Sequence, residues 1–228
     1  MTIHPIAHIR TDFPTKFGIP RQSGIVPNLT GAIVFEPKYR TPEALRGLEG
    51  FSHLWLIWGF HRAEQTGWSP TVRPPRLGGN ARLGVFATRS PFRPNPLGLS
   101  AVAIEEITED LAHGSIIRVR GADLLDKTPI YDLKPYLPYA DSIPDATGGF
   151  AESVPEPRLQ VEMTPEQLGL LPPEKRAALS AVLALDPRPS YQQDAARVHG
   201  MQFSGFEVKF LVADGVLTVV EVEESPGG

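Results

Sequence analysis

PPRLGGNARLGVFATRSPFRPNPLGLS, residues 74–100, is the stretch whose reading decides the fold. Glycines at 78, 79, 84 and 98 and prolines at 74, 75, 91, 94 and 96 punctuate a short apolar run, Leu83 to Ala87. That pattern reads as strand, rigid loop, strand, with arginines displayed on the loop. Residues 65–104 contain neither Asp nor Glu, whereas Arg73, Arg76, Arg82, Arg89 and Arg93 fall within them. Solvated surfaces ordinarily intersperse both signs of charge, so an acid-free segment in an acidic chain points to a surface that meets anions. The plainer alternative is an arginine-rich connection whose charges are paired by carboxylates from elsewhere in the chain.

Working outward, 228 residues suffice for one large domain or a main domain with a smaller second one. The formal charge of −4 is unevenly spread, because residues 205–228 carry Glu207, Asp214, Glu221, Glu223 and Glu224 against Lys209 alone. A basic centre and an acidic tail end are expected. With no cysteine in the chain, disulfides, thiolate catalysis and Cys-ligated metal sites are excluded. No run approaches the ~18 apolar residues of a spanning helix, so a soluble protein of the cytoplasm is expected, without membrane or metal.

Residues 5–10 (PIAHIR) read as an edge strand, residues 31–37 (GAIVFEP) as a second strand, and Thr41-Pro42-Glu43 as the start of a short helix that stops at Gly47. Between the first two strands, Gly18, Pro20 and Gly24 frame Arg21, Gln22 and Ser23, which suits either ligand contact or a surface turn. Residues 51–61 (FSHLWLIWGFH) read as a buried strand, with His53 a core histidine and His61, beside Arg62, the better ligand contact. Leu99–Ile107 and Ser115–Arg120 extend the sheet to about six or seven strands without regular helical crossovers, which makes a barrel the economical fold. Residues 121–146, rich in Asp, Tyr and Pro, read as a loop-rich wall with a turn from Asp126 to Pro129.

After Ala146 the composition changes to a small and polar connection, TGGFAESVPEPR, and a boundary within it divides the chain into 1–150, a mainly β barrel domain, and 151–228, a small α+β appendage. The appendage is expected to hold a strand at Leu159–Met163, a short helix capped by Thr164, a helix from Pro173 to Leu185, and a hairpin turning at Asp214-Gly215. Nucleotide motifs are missing: Gly79 to Gly84 has Walker spacing, but Val85 stands where lysine must reach the phosphates. A serine hydrolase built from Ser90, His61 and Asp126 lacks any supporting motif.

PRQSG (20–24), RGLEGFSHLW (46–55), residues 73–100, the run from Asp126 to Ala146 and DPRPSY (186–191) together resemble the YaeB/TrmO family over essentially the whole chain. The resemblance implies a β-barrel, S-adenosylmethionine-dependent tRNA N6-adenosine methyltransferase. It further implies a homodimer acting on N6-threonylcarbamoyladenosine beside the anticodon. Cofactor contacts are implied at Arg21, Gln22, Ser23, His61, Arg62, Arg89, Leu99 and the turn Asp126, Lys127, Thr128, Pro129 and Ile130. The family pattern has glycine after the aspartate, where this chain has Lys127. A positive φ there would strain lysine by about 1 kcal/mol.

Such a reaction needs alignment of nitrogen, methyl and sulfur, and removal of a proton. Asp126 is the first candidate base and Asp132 the second, and either has the alternative role of holding the cofactor ammonium or the turn itself. Arg89 is expected to clamp a carboxylate, Arg73, Arg76, Arg93 and Lys134 to meet tRNA phosphates, and Phe92 or Tyr136 to stack on a splayed base. The rival readings are a non-catalytic RNA-binding barrel, which has no need of Arg21, Gln22, His61 and Asp126, and an S-adenosylmethionine sensor, which has no need of the arginine run.

Overall fold

The structure is a computed structural model that describes residues 2–62, 67–77, 81–153, 159–189, 192 and 194–225, without the side chain of Arg76. The chain runs through β1 (Ala7–Thr11), β2 (Thr30–Phe35), β3 (His53–Gly59), β4 (Thr71–Val72), β5 (Leu83–Gly84), β6 (Leu97–Asp110), β7 (Gly114–Arg120) and β8 (Thr128–Pro135). After one helical turn, α1 (Pro138–Asp141), follow β9 (Gln160–Glu162), α2 (Pro165–Leu170), α3 (Pro173–Ala184), β10 (His199–Phe203), β11 (Phe206–Ala213) and β12 (Val216–Glu224).

Six strands close into an antiparallel barrel in the order β1-β2-β7-β6-β3-β8. Alternate residues, Ala7 and Ile9, Ile33 and Phe35, Leu54 and Leu56, Ile117 and Val119, point inward and are buried, and Val102 and Ile130 join them. The interior is therefore filled by side chains, and any ligand must bind at an end or on the wall. β6 changes partner along its length, pairing with β3 up to Ala103 and with β7 from Ala103 onward, with a bulge between Ile104 and Glu106. One end of the barrel gathers the ends of β1, β3 and β7 and the starts of β2, β6 and β8. The connections 12–29, 60–96 and 121–127 all leave from that end.

The appendage is a four-stranded sheet, β10-β11-β12-β9, covered by α3 through Ala178, Leu179, Val182 and Leu183. Two tight turns, Ser204-Gly205 and Asp214-Gly215, have positive φ at both residues, which matches the right-handed twist of the strands they join. Thr164 caps α2 through a reciprocal capping box with Gln167. Its apolar core is completed from the first connection, since Phe13, Val26 and Leu29 are buried in it. Lys175 of α3 fastens the same place, its Nζ lying 2.8 Å from both oxygens of Asp12 and from Thr30 Oγ1.

Several sequence expectations change. Residues 5–10 form no edge, because β1 is paired on both sides. The apolar run Leu83–Ala87 is strand only at Leu83–Gly84 and then turns as a 3-10 helix, with Val85 N–H bonded to Pro70 O at 3.0 Å. The helix after Thr41 is a 3-10 turn over Pro42–Leu45 without a side-chain cap. His53 is exposed, since Leu54 and Leu56 take the inward positions of β3. The wall at 121–146 contains a full barrel strand, β8, and β10 was not expected at all.

Lys127 does take a left-handed conformation, with φ 61°. We expect Lys127→Gly to raise stability by about 1 kcal/mol, read in thermal unfolding as a rise of about 2–4 °C. At the other joint, Lys175→Met leaves the buried Asp12 carboxylate unpaired and is expected to cost about 3 kcal/mol in urea unfolding. In an Asp12→Asn background the same change should cost clearly less.

Candidate active site

A cleft of about 470 Å³ opens where the three long connections meet at the barrel end. Each contributes one wall. The first connection brings Lys16, Arg21 and Gln22; the end of β3 brings Trp58, Phe60, His61 and Arg62; the start of β6 brings Leu97 and Leu99; and the stretch before β8 brings Asp123, Leu125 and Thr128. The arginine loop completes the rim with Arg89 and Arg93.

Local contacts explain how these side chains are held. Gly18, at φ 90°, passes so close to Met201 that a Cβ would sit 2.2 Å from its sulfur, which seats the first connection on the appendage sheet. Gln22 Oε1 accepts a hydrogen bond from Arg89 Nη1 across the cleft mouth, and Arg62 O accepts one from Lys16. Arg93 Nη1 donates to Thr88 O at 2.9 Å and Ser90 O at 3.4 Å, so this arginine shapes its own loop from within. Trp58 and Phe60 meet edge to face at 4.4 Å between centroids and form an apolar floor. Gly98 permits that floor, because a Cβ there would lie 2.3 Å from the indole of Trp58.

The floor carries a polar chain. Trp58 Nε1 donates to the buried Ser100 Oγ at 3.0 Å, and Ser100 Oγ donates in turn to Asp123 Oδ1 at 2.7 Å. Because the indole can only donate, Ser100 must turn its own proton toward the carboxylate. Burial raises the Asp123 carboxyl above the ordinary carboxylate range, opposed in part by Ser100, by the Ser23 backbone N–H and by the charge of Arg89. His61 is shifted down, first by burial and then by the charges of Arg62, His8 and Lys16, with Asp126 pulling the other way.

The expected ligand-facing residues divide. Arg21, Gln22, His61, Arg62, Arg89, Leu99 and Thr128 line the cleft, and so does Arg93, which had been expected at RNA. Ser23 does not line it; its backbone N–H bonds to Asp123, which does. Asp126 does not line it: its Oδ1 accepts the Thr11 N–H at 3.1 Å, and its own N–H bonds to Phe13 O at 2.8 Å. Lys127 points outward, exposed, while Pro129 and Ile130 are buried. Asp132 lies on the outer wall, 3.0 Å from Lys134 Nζ, with Oδ1 taken by the Leu133 N–H. Tyr136 packs on Trp55 and His53 at the far end of β3 from His61. Arg73 is exposed on the excursion, while the side chain of Arg76, together with Gly78, Gly79, Asn80, Ser190 and Tyr191, lies outside the described residues. Asp123, Ser100 and Trp58 were missed by sequence reading.

A zwitterionic nucleoside cofactor fits these groups. The volume is in the range of small-ligand sites, the aromatic floor offers a face for a purine, and Arg89, held by Gln22, offers a fork for a carboxylate. Among the described residues no three His, Asp or Glu side chains gather as metal ligands, and no helix is long and apolar enough to cross a membrane.

Comparison with known proteins agrees with this arrangement. Residues 8–142 match the model of the tRNA-methyltransferase O N-terminal domain, and residues 156–225 that of the TrmO C-terminal domain. The tRNA (adenine(37)-N6)-methyltransferase of Escherichia coli is 43% identical over 228 residues, covering 96% of each chain. A putative S-adenosylmethionine-dependent methyltransferase, RcsF, of Pseudomonas aeruginosa is 40% identical over 215 residues, 91% of this chain and 90% of its own. A crystal structure of TrmO from Pseudomonas aeruginosa superposes with a TM-score of 0.78 at 33% identity, covering 99% of this chain and 97% of that one. On the cleft, the barrel and these matches together, the chain belongs to the tRNA-methyltransferase O family.

Proposed function

We propose that this chain methylates N6 of the adenosine next to the anticodon of tRNA, using S-adenosylmethionine, and that its preferred substrate carries the N6-threonylcarbamoyl group. One observation carries the reading: a cleft at the barrel end joins an aromatic floor to the cationic side chains of Lys16, Arg21, Arg62, Arg89 and Arg93 and, among the described residues lining it, one carboxylate, Asp123. When bound, S-adenosylmethionine supplies a methyl group already activated on sulfur. The protein then has to align it with the nitrogen and exclude water.

In this reading Arg89, braced by Gln22, clamps a carboxylate, with Arg21, His61, Arg62, Leu99 and Thr128 around the cofactor and Ser23 contacting Asp123 behind it, while the rest of the turn from Asp126 to Ile130 sets the position of Thr128. Asp126 acts there as the buckle of the turn. His61, shifted down, is neutral at neutral pH and adds no positive charge against a sulfonium. Arg73, Arg76 and Lys134 meet tRNA phosphates, and Arg93 both shapes the loop and faces the anion. The barrel domain, residues 1–150, carries the chemistry and 151–228 braces it. Leu97 and Leu99 line the cleft and are exposed, Trp68 and Phe86 are exposed on the connection 60–96, and these apolar side chains favour a homodimer, working in the cytoplasm.

Transfer of tritium from labelled S-adenosylmethionine tests the assignment. Label is expected in threonylcarbamoylated tRNA and not in the unmodified transcript, and Arg89→Ala should lower kcat/KM by about 100-fold or more. No label in either tRNA, with tRNA still shifted on a gel, would replace the enzyme by a binding module. Arg73→Ala should reduce the slope of log affinity against log salt by about 1. By NMR, His61 should titrate below the 6.5 of an ordinary histidine, and Asp126→Asn should move the midpoint lower still, because the Asp126 charge favours the protonated ring.

A further inference from the structure

We propose that Asp123 is the general base of the methyl transfer and that Ser100 and Trp58 are its positioning residues. This rests on the methyltransferase reading and assigns it a proton acceptor. Among the described residues lining the cleft, Asp123 is the one carboxylate, whereas Asp126 and Asp132 spend theirs on the Thr11 N–H and on Lys134 and the Leu133 N–H. The Trp58 to Ser100 to Asp123 chain fixes one carboxylate oxygen, Oδ1, by a hydroxyl whose orientation is set by the indole. A base must be held at a set angle to the proton it takes, and a rotor locked on both sides does that.

The step balances without any further reactant. The N6–H proton passes to a carboxylate oxygen of Asp123, the nitrogen pair forms the new N–CH3 bond, and the S–CH3 pair returns to sulfur, discharging the sulfonium. An acyl-type substituent on N6 weakens the nitrogen as a nucleophile and acidifies its proton, so a carboxylate is a base of matching strength. Burial raises the Asp123 carboxyl above its ordinary value, which makes its carboxylate a stronger proton acceptor. The charged and titratable groups around the same cleft are Lys16, Arg21, His61, Arg62, Arg89 and Arg93. Of these, Arg89 acts on Asp123 by its charge and holds it down.

Because a base works only when deprotonated, activity should fall as pH drops through the raised Asp123 value. Removing the Ser100 hydroxyl takes away a hydrogen bond that favours the charged form, so Ser100→Ala should move that acid limb to higher pH. Asp123→Asn keeps the shape and one acceptor oxygen for the Ser100 hydroxyl. It is expected to lower kcat by about 100-fold to 10,000-fold, with the S-adenosylmethionine Kd from calorimetry within about threefold of wild type. In the protein without cofactor, the carboxyl carbon of 13C-labelled Asp123 should titrate above the ordinary aspartate range, and higher again in Ser100→Ala. Transfer by Asp123→Asn within about fivefold of wild type, a loss of cofactor affinity as large as the loss of kcat, or an acid limb unmoved in Ser100→Ala would each overturn the assignment. If the wild-type protein itself transferred no methyl to tRNA, the methyltransferase reading would fall and this one with it, which the wild-type control distinguishes from failure of Asp123 alone.

Discussion

β1 and β8 share a ladder of only three positions, Ala7 to Ile130, His8 to Pro129 and Ile9 to Thr128, yet that seam turns a six-stranded sheet into a barrel. Three residues of ladder make a weak closure, and the chain extends it with groups outside the strands. Asp126 accepts the Thr11 N–H, Thr11 Oγ1 donates to Leu124 O at 2.9 Å, and the N–H groups of Asp126 and Lys127 bond to Phe13 O and Ile9 O. A carboxylate that takes a backbone N–H at a strand end contributes roughly 1.5–3 kcal/mol where the group is charged. The left-handed turn at Lys127 follows from this seam, since the chain must reverse within one residue to bond at both Asp126 and Lys127 before entering β8. The strain of a lysine at φ 61° is thus offset by the bonds that demand it.

The same seam fixes where the chemistry sits. Both segments it joins continue directly into the cleft, one toward Arg21 and Gln22 and the other back to Asp123, so their relative placement is set by backbone bonds. The first connection alone would be an 18-residue excursion, residues 12–29, free to wander. Its apolar residues are instead buried against the appendage, and Lys175 pins Asp12 from the other side. The appendage thereby acts on the cleft without lining it: it orders the loop that does.

Much of this was legible in the sequence, and the failures have physical causes. Short apolar runs found β2, β3 and β6, alternation found β7, and dipeptide turn chemistry found the Asp214-Gly215 hairpin, because these signals are local. β8 was hidden by its composition and by a register shift opposite Ile57 and Trp58, which breaks the alternation between Ile130 and Leu133. β10 contains a glycine at the position where a Cβ would meet the Glu207 carboxylate at 2.3 Å, a contact that only the folded sheet reveals. His53 could have been read correctly, since the parity of Leu54 and Leu56 already turns it outward. Asp123 could not: five aspartates share residues 121–146, and what distinguishes this one is a hydroxyl 23 positions earlier and an indole 42 positions before that.

The missing glycine fingerprint has a structural counterpart. Doubly wound nucleotide folds hold anions on helix N-termini, where aligned peptide dipoles and unpaired N–H groups supply the positive field. Among the described residues this barrel presents no α-helix at the cleft, because its walls are strand ends and loops. The positive field has to come from side chains, and an acid-free arginine segment is what that requirement looks like in sequence. Guanidinium groups on loops need bracing that a helix dipole does not, and here the bracing is visible as Gln22 on Arg89 and as the Thr88 and Ser90 carbonyls on Arg93. A partly buried carboxylate such as Asp123 amid such a field keeps its charge more readily than burial alone would allow. The arginine run and Asp123 are therefore two halves of one electrostatic arrangement.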